Sequence, residues 1–144
     1  HDMVVFQHPV YWYSTPSILK EWQDLVLQHG WAYGREGRAL HGKRFMSAIT
    51  AGGSEESYLQ GGPHRHTMLG LLAPIEQTAW LCGMEWLPPF VVYGAHFLDS
   101  AAIDRQAARY LRTLEAFRDG ALDLDILRDW PNLNRDLDSA IRSS

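Results

Sequence analysis

The chain has 144 residues, of which 46% are hydrophobic and 21% are charged, and its formal net charge is −4. This composition is typical of one soluble globular domain, and the acidic balance argues against nucleic acid as a partner, because neutralising phosphates requires clustered Lys and Arg. Cys82 is the single cysteine, which excludes an internal disulfide and a cysteine-based zinc site and fits a reduced, intracellular setting. We expect neither a membrane-spanning helix nor a secretory leader, and therefore a cytoplasmic protein.

Short, nearly continuous apolar runs predict strands that are buried on both faces. The runs are MVVFQ from Met3, RFMSAIT from Arg44 and FVVYG from Phe90. Helical patterns lie between them. Strands that alternate with helices predict a parallel sheet with right-handed crossovers, which is an α/β fold.

The first helical pattern follows Thr15, which we expect to be the N-cap, with Pro16 at the first helical position. Gly30 stands just past the expected end. The predicted core-facing residues of this helix are Ile18, Trp22, Leu25 and Val26.

The second helical pattern covers roughly Thr67 to Cys82, and Pro74 is expected to kink it or to start a new turn. Its apolar stripe consists of Met68, Leu71, Leu72, Ile75 and Ala79. The third pattern runs from about Ser100 to Arg118. Both patterns predict helices that pack against the sheet.

The Asp-rich segment after Gly120 allows two interpretations, a docking arm or a frayed tail, and the pattern favours neither. Its spaced apolar residues are more numerous than a solvated tail requires. They are Leu124, Leu127, Leu133, Leu137 and Ile141.

Ligands of open parallel sheets bind beyond the carboxyl ends of the strands, so the segments that follow the strands are the candidate site. The turn Thr50-Ala51-Gly52-Gly53 allows backbone N–H groups to approach a flat or anionic ligand, although alone it is more simply an ordinary turn. The run Tyr11-Trp12-Tyr13 either seals an edge of the core or stacks on a planar group, and both interpretations are equally supported.

Linked motifs in this order resemble the flavodoxin-like NAD(P)H:quinone oxidoreductases, and most closely the ancillary oxidoreductases of the Kef glutathione-gated potassium-efflux systems. The motifs are QHPVYWYSTPSILKEW, GWAYG, ITAGGSEESY and CGMEWLPPFVVYG. The resemblance covers about Met3 to Arg118. It implies a doubly wound parallel sheet, an FMN cofactor with FAD as an alternative, NAD(P)H as co-substrate, a quinone or similar electrophile as acceptor, and a homodimer.

The resemblance also implies roles for particular residues. Pro9, Val10, Tyr11, Trp12 and Tyr13 would pack along the isoalloxazine ring, and Thr50, Ala51, Gly52 and Gly53 would meet its polar edge. The family positions for a catalytic Tyr and His fall on Tyr58 and His64. Tyr58 would donate to the reduced flavin or the quinone oxygen, and His64 would stabilise the anion or supply a proton.

Simpler interpretations remain open for these two residues: a packed Tyr58 and a surface His64 are about as well supported as the catalytic roles. His66 is a nearby substitute for His64. His8 is expected to cap a strand, with contact to the flavin as the less favoured alternative. His96 follows the third strand, and its approach to the site is likewise the less favoured interpretation. No metal ligand set is expected, since no Cys or acidic residue accompanies the histidines at zinc spacing.

The segment GWAYG, with Trp31 and Tyr33, belongs either to a dimer interface, as in relatives, or to a buried local cluster; the two are equally supported.

The chain departs from the family at its start, where the first two βα units, about 50 residues, are not seen before Met3. We therefore expect residues 1–118 to form the C-terminal part of a flavodoxin-like domain and residues 119–144 to be a polar C-terminal extension.

Two functions follow from the resemblance. The favoured one is an NAD(P)H:quinone oxidoreductase that passes hydride from nicotinamide to flavin to quinone by a ping-pong route. The alternative is a regulatory subunit that docks on a Kef-type potassium-efflux transporter, with redox activity secondary; such a protein would lie peripherally at the inner membrane.

Overall fold

The sheet is parallel throughout, as the alternation of apolar runs and helical patterns predicted. The computed structural model describes residues 1–142. Strand β1 (Met3–Pro9) pairs with β2 (Arg44–Thr50) over its whole length, with Met3 opposite Arg44 and Pro9 opposite Thr50. The two strands therefore end side by side, and whatever follows them in sequence begins at the same edge of the sheet.

The other side of β2 carries two short strands rather than one. Strand β3 (Glu85–Trp86) pairs with the start of β2, and β4 (Phe90–Val92) pairs with its end. Pro88 and Pro89 lie between them and interrupt the ladder, because proline has no backbone N–H to donate. The predicted third strand, FVVYG from Phe90, was therefore too long, because β4 ends at Val92. The short strand β3 was not predicted.

Strand β2 separates two hydrophobic cores, as expected for a strand buried on both faces. Its Phe45 and Ile49 face a core shared with the second helix, whereas Met46 and Ala48 face a core shared with the C-terminal third of the chain. Every residue from Phe45 to Ile49 is buried. The continuous apolar run thus reflects two packed faces instead of one.

Helix α1 (Ser17–Val26) differs from the prediction at its start, at its end and on its apolar face. Pro16 is the N-cap residue, no side chain caps the helix, and Leu27 is the C-cap, so Thr15 was wrongly predicted as the cap. The predicted core-facing side is largely open: α1 has no buried residue, and Ile18 is 74% exposed. Val26 is partly buried, and the ring of Trp22, although exposed, lies 5.5 Å from that of Phe6, edge to face.

Helix α2 (Met68–Leu81) confirms the second prediction. The Thr67 hydroxyl accepts a hydrogen bond from the Gly70 N–H at 3.0 Å and caps the start. Pro74 lies inside the helix, which continues past it, and the Thr78 hydroxyl donates to the Pro74 carbonyl at 2.8 Å. The predicted stripe is the side that packs on the core; its members Met68, Leu72, Ile75 and Ala79 are buried, and Leu71 is partly buried.

Helix α3 (Ser100–Arg118) has the predicted bounds, and its N-cap is Asp99, whose carboxylate accepts from the Ala102 N–H at 2.7 Å. The segment beyond it forms the short helices α4 (Leu124–Leu127) and α5 (Leu137–Ala140). Its apolar side chains enter the second core, so the described part of the segment is docked rather than frayed; the buried ones are Leu122, Leu127, Leu133, Leu137 and Ala140. The last two residues of the expected extension, 143 and 144, lie outside the described residues.

No helix within residues 1–142 has both the length and the apolar character to cross a membrane.

Candidate active site

The two turns singled out from the sequence lie next to each other at the carboxyl edge of the sheet. The Val10 N–H donates to the Thr50 carbonyl at 2.8 Å, which extends the β1–β2 ladder by one bond beyond Pro9 and Thr50. The position agrees with the rule that open parallel sheets bind ligands beyond the carboxyl ends of their strands.

The turn after β1 holds its aromatic rings away from the core. Tyr11 and Ser14 exchange backbone hydrogen bonds of 2.9 Å in both directions, and the two central residues have positive φ values, 48° at Trp12 and 62° at Tyr13. Positive φ values are unfavourable for aromatic residues, and they persist only where the surrounding structure or a function requires them. Trp12 is 95% exposed, and Tyr11 and Tyr13 are also exposed. The interpretation that these rings seal the core is therefore wrong.

The turn after β2 is fixed to the end of β4 by its backbone. The Ala51 N–H donates to the Val92 carbonyl at 2.9 Å, and the Gly53 carbonyl accepts from the Gly94 N–H at 2.9 Å. Three connected segments, which follow β1, β2 and β4, thus surround one area at the sheet edge.

Both glycines of this turn are in contact with imidazole rings. A Cβ atom on Gly53 would lie 2.9 Å from His64 Nε2 and 3.2 Å from Tyr58 Cε2, and one on Gly52 would lie 2.9 Å from His96 Cδ2. Both approaches are closer than side chains normally allow. The sequence indicated that a ligand could approach the backbone of this turn closely; it did not identify the two histidines that lie against the glycines, and it favoured a position of His96 outside the site.

Tyr58 and His64 form a stacked pair beside this turn. Their ring centroids are 4.6 Å apart with an interplanar angle of 30°, and Tyr58 is 7% exposed. Tyr58 ends a 3₁₀ helix, Glu55–Tyr58, and its ring also lies 5.7 Å from that of Tyr93. His64, rather than His66, makes these contacts, and His66 is exposed.

Tyr13 connects the aromatic turn to this pair. Its hydroxyl lies 3.4 Å from His64 Nδ1, a hydrogen-bonding distance, and its ring meets the His64 ring edge to face with centroids 5.6 Å apart. Residues separated by 51 positions in the chain are thereby brought together. The predicted catalytic pair and the predicted ring-binding turn form one cluster.

The buried phenols of the cluster are held in their protonated, donor form. Burial raises the pKa of Tyr58, partly opposed by the backbone of Gly53, and the nearby Tyr13 adds to the rise. Burial also raises the pKa of Tyr93 to about 12, with further contributions from Glu55 and Tyr58. A protonated phenol can donate a hydrogen bond to an oxygen that gains negative charge.

His8 is buried in β1 rather than capping the strand. Its Nδ1 lies 3.0 Å from the Pro9 carbonyl, so Nδ1 carries the proton, and Nε2 has no hydrogen-bonding partner among the described residues. Burial lowers the pKa of His8, opposed in part by the Pro9 carbonyl. His8 is thus a neutral core histidine that borders a cavity of about 130 Å³ between α1 and α2, with Tyr13 at its wall.

The segment with Trp31 and Tyr33 is divided between surface and core. Trp31 is exposed, whereas Tyr33 packs against the first core and meets His29 edge to face with centroids 5.5 Å apart. The fully buried residue between them is Ala32.

Residues 1–114 match the family model described as flavodoxin-like fold. The chain belongs to this family. It also resembles curated relatives: it is 48% identical over 109 residues to general stress protein 14 of Bacillus subtilis, covering 76% of this chain and 62% of that protein. It is 42% identical over 119 residues to the glutathione-regulated potassium-efflux system ancillary protein KefF of Salmonella typhi, covering 82% of this chain and 66% of that protein. The chain thus spans a little under two thirds of the length of these relatives.

Two solved structures superpose on most of the chain. The general stress protein 14 of Treponema denticola in complex with FMN superposes with a TM-score of 0.74 at 36% identity, covering 81% of this chain and 66% of that one. An NADPH-quinone reductase from P. pentosaceus superposes with a TM-score of 0.71 at 30% identity, covering 76% of this chain and 65% of that one. The predicted fold class and the predicted family are confirmed.

Proposed function

We propose that this chain carries the ring-binding and catalytic part of a flavin-dependent NAD(P)H:quinone oxidoreductase. The observation that carries the proposal is the single cluster in which the strained aromatic turn, the Gly52–Gly53 turn and the stacked Tyr58–His64 pair meet at the carboxyl edge of the sheet. Exposed aromatic rings beside a glycine turn fit a flat, partly polar tricyclic ring.

FMN is the proposed flavin, and a nicotinamide cofactor is the proposed hydride donor. Support for FMN comes from the Treponema denticola relative, which was solved with FMN, and support for the donor and the acceptor comes from the neighbour named NADPH-quinone reductase. Residues 9–13 would lie along the isoalloxazine, and residues 50–53 would meet its polar edge. A bound flavin supplies the hydride transfer in both directions.

The protein's own residues would stabilise the negative charge that develops during hydride transfer and would hold or release protons. The protonated phenol of Tyr58 would donate a hydrogen bond to the flavin or quinone oxygen that becomes negative. His64, stacked on Tyr58 and hydrogen-bonded to Tyr13, would hold or release a proton at a ring nitrogen. Tyr13, at the exposed edge of the cluster, would limit access of water to the pair.

The direct test is to purify the full-length protein and measure its flavin content and its quinone-dependent oxidation of NADH and NADPH. We expect FMN to bind and both half-reactions to proceed separately, with parallel lines in double-reciprocal plots, as a ping-pong route requires. A protein that cannot be loaded with FMN, or a loaded protein whose flavin NAD(P)H does not reduce, would overturn the proposal.

We also propose a homodimer, in which exposed apolar groups such as Ile18 and Trp31 become covered. Light scattering coupled to size-exclusion chromatography tests it. A monomer at micromolar concentration would contradict this part of the proposal without affecting the chemistry.

The KefF relative favours a second role, that of an ancillary subunit on a potassium-efflux transporter at the inner membrane. If that role depends on turnover, replacing Tyr58 with Phe and His64 with Gln should abolish stimulation of efflux while co-purification with the transporter persists. Unchanged stimulation by the double variant would instead support a docking role that is independent of catalysis.

A further inference from the structure

The C-terminal segment, residues 121–142, closes the outer edge of β4. The Leu133 N–H donates to the Pro89 carbonyl at 2.9 Å, and the Asn134 side-chain oxygen accepts from the Val91 N–H at 2.7 Å. The segment therefore supplies hydrogen bonds to backbone groups that a further strand would otherwise satisfy.

This attachment is anchored by both polar contacts and burial. The Arg109 guanidinium of α3 donates to the Asn134 carbonyl, and the Asn134 amide donates to Gln106 at 3.4 Å. Leu127 and Leu133, on either side of the bend at Pro131, have no exposed surface. The position of residues 132–134 is thus defined by the core rather than by surface contacts alone.

Asn132, which comes immediately before these attached residues, contacts the 3₁₀ helix that carries Tyr58. It is 3% exposed, and its side-chain Nδ2 donates to the Glu55 carboxylate at 3.4 Å. Glu55 is the first residue of the 3₁₀ helix that ends at Tyr58. This contact is a long hydrogen bond to a carboxylate, and it joins segments that are 77 positions apart in the chain.

The 3₁₀ helix needs support of this kind. It is four residues long, and no side chain caps its start at Ser54. Short 3₁₀ helices have poor hydrogen-bond geometry and depend on tertiary contacts for their position. The ring of Tyr58 at its far end must nevertheless stay stacked on His64.

We propose that Asn132 is a positioning residue for Tyr58 and acts through Glu55. This inference rests on the proposed function, because it assigns Tyr58 the donor role in that reaction. The C-terminal segment lies beyond residues 1–114, which match the family model. The inference gives this segment a role in the site, because it carries Asn132 and is itself held by the edge of β4 and by the second core.

The test compares Asn132→Leu, Glu55→Met and the double variant in the full-length protein; neither replacement leaves a partner for the Asn132–Glu55 hydrogen bond. Asp138→Asn is the matched control, since it removes the exposed Arg112–Asp138 ion pair from the same segment. The first readout is the NMR resonances of the Tyr58 ring, which lies in the ring-current field of His64. The second is steady-state quinone reduction.

We expect both single variants to shift the Tyr58 resonances in the same direction and to lower kcat by about two- to five-fold, with KM for NAD(P)H unchanged. The double variant should show no more than either single variant, because the residues share one contact. The control should match the wild type. Glu55→Met changes an exposed residue and therefore remains informative if Asn132→Leu fails to fold.

Tyr58 resonances that stay at wild-type positions in both single variants, or effects on kcat that add fully, would overturn the inference. The two proposals can fail separately. If the wild type reduces no quinone but the Tyr58 resonances respond as expected, the proposed function fails and the positioning of Tyr58 by Asn132 stands.

Discussion

Gly53 leaves room for His64: a Cβ atom at position 53 would lie 2.9 Å from His64 Nε2. The first prediction is that Gly53→Ala displaces the imidazole from Tyr58. Because the atom in the way is the far end of a side chain, the fold should lose less than about 1 kcal/mol of stability, while quinone reduction falls by about ten-fold or more. Thermal unfolding and steady-state kinetics measure the two effects.

Gly70→Ala is the matched control for that variant. It adds the same methyl group in α2, where the Cβ would lie 3.3 Å from the Thr67 hydroxyl, and a helical alanine is favoured over glycine. Its activity should stay near the wild-type value. Equal losses in both variants would mean that the contact between Gly53 and His64 has no special importance.

Tyr58→Phe preserves the stacked ring and removes the hydroxyl donor. We expect kcat to fall about 10- to 100-fold while the melting temperature and the FMN affinity change little, because the hydroxyl acts where charge develops. His64→Gln should lower kcat similarly, and the double variant should lose less than the product of both effects, as residues that act together do. A Tyr58→Phe variant with wild-type kcat would remove Tyr58 from the mechanism.

The strained turn at Trp12 predicts that one substitution will raise the stability of the fold and weaken FMN binding. Trp12 is 95% exposed with φ of 48°, so Trp12→Gly relieves an unfavourable backbone conformation and should raise the free energy of unfolding by up to about 1 kcal/mol. The same variant should bind FMN more weakly, by about ten-fold, because a stacking ring is lost. Denaturant unfolding and flavin fluorescence titration test this pair of effects; FMN affinity equal to that of the wild type would show that Trp12 does not contact the ring.

His8 predicts a pH dependence of stability. Burial lowers its pKa below the ordinary value of 6.5, so the unfolded chain takes up the proton first as pH falls below about 6.5. Stability contributed by neutral His8 is therefore complete above that pH and is lost towards the lower pKa of the folded state, with a slope of at most about 1.4 kcal/mol per pH unit.

His8→Phe keeps a flat ring and removes the unpartnered Nε2, so its stability should depend less on pH between about 5 and 7 than that of the wild type. The exposed His66 provides the control: His66→Gln should follow the wild-type curve. Urea unfolding at a series of pH values measures the slopes, and identical slopes for His8→Phe and the wild type would contradict the prediction.

The docked C-terminal segment predicts that its buried leucines matter for the whole fold. Leu133 has no exposed surface, so Leu133→Ala should lower the free energy of unfolding by about 2–4 kcal/mol. Ile126→Ala in the same segment should have a much smaller effect, since Ile126 is exposed. A Leu133→Ala variant as stable as Ile126→Ala would mean that the segment contributes little to the second core.

The sheet and the location of the site could be predicted from sequence because each has a strong local signal. The run RFMSAIT has no polar side that could face water, so a central strand was its natural place, and β2 occupies it. Once β1 and β2 were parallel neighbours, the segments after Pro9 and Thr50 had to meet. The contacts among Tyr13, Tyr58 and His64 follow from loop conformations that no residue pattern specifies.

The errors have equally particular causes. The periodicity of α1 indicates that one face is apolar but not what covers it, and within the described residues Ile18 remains open to solvent. Strand β3 has two residues, too few for an alternating pattern to show. The docking of the C-terminal segment was undecided because α4 and α5 have four residues each. This is about one helical turn, which is too short for a repeating apolar pattern to appear.

The break between β3 and β4 at Pro88 and Pro89 has a consequence for the motions of the molecule. With no continuous ladder between β3 and β4, local opening at one need not spread to the other. The two-residue β3 can therefore open at one end of the sheet while β4 stays in place beside the candidate site, because the Ala51 N–H and the Asn134 side chain bind β4 on its two sides.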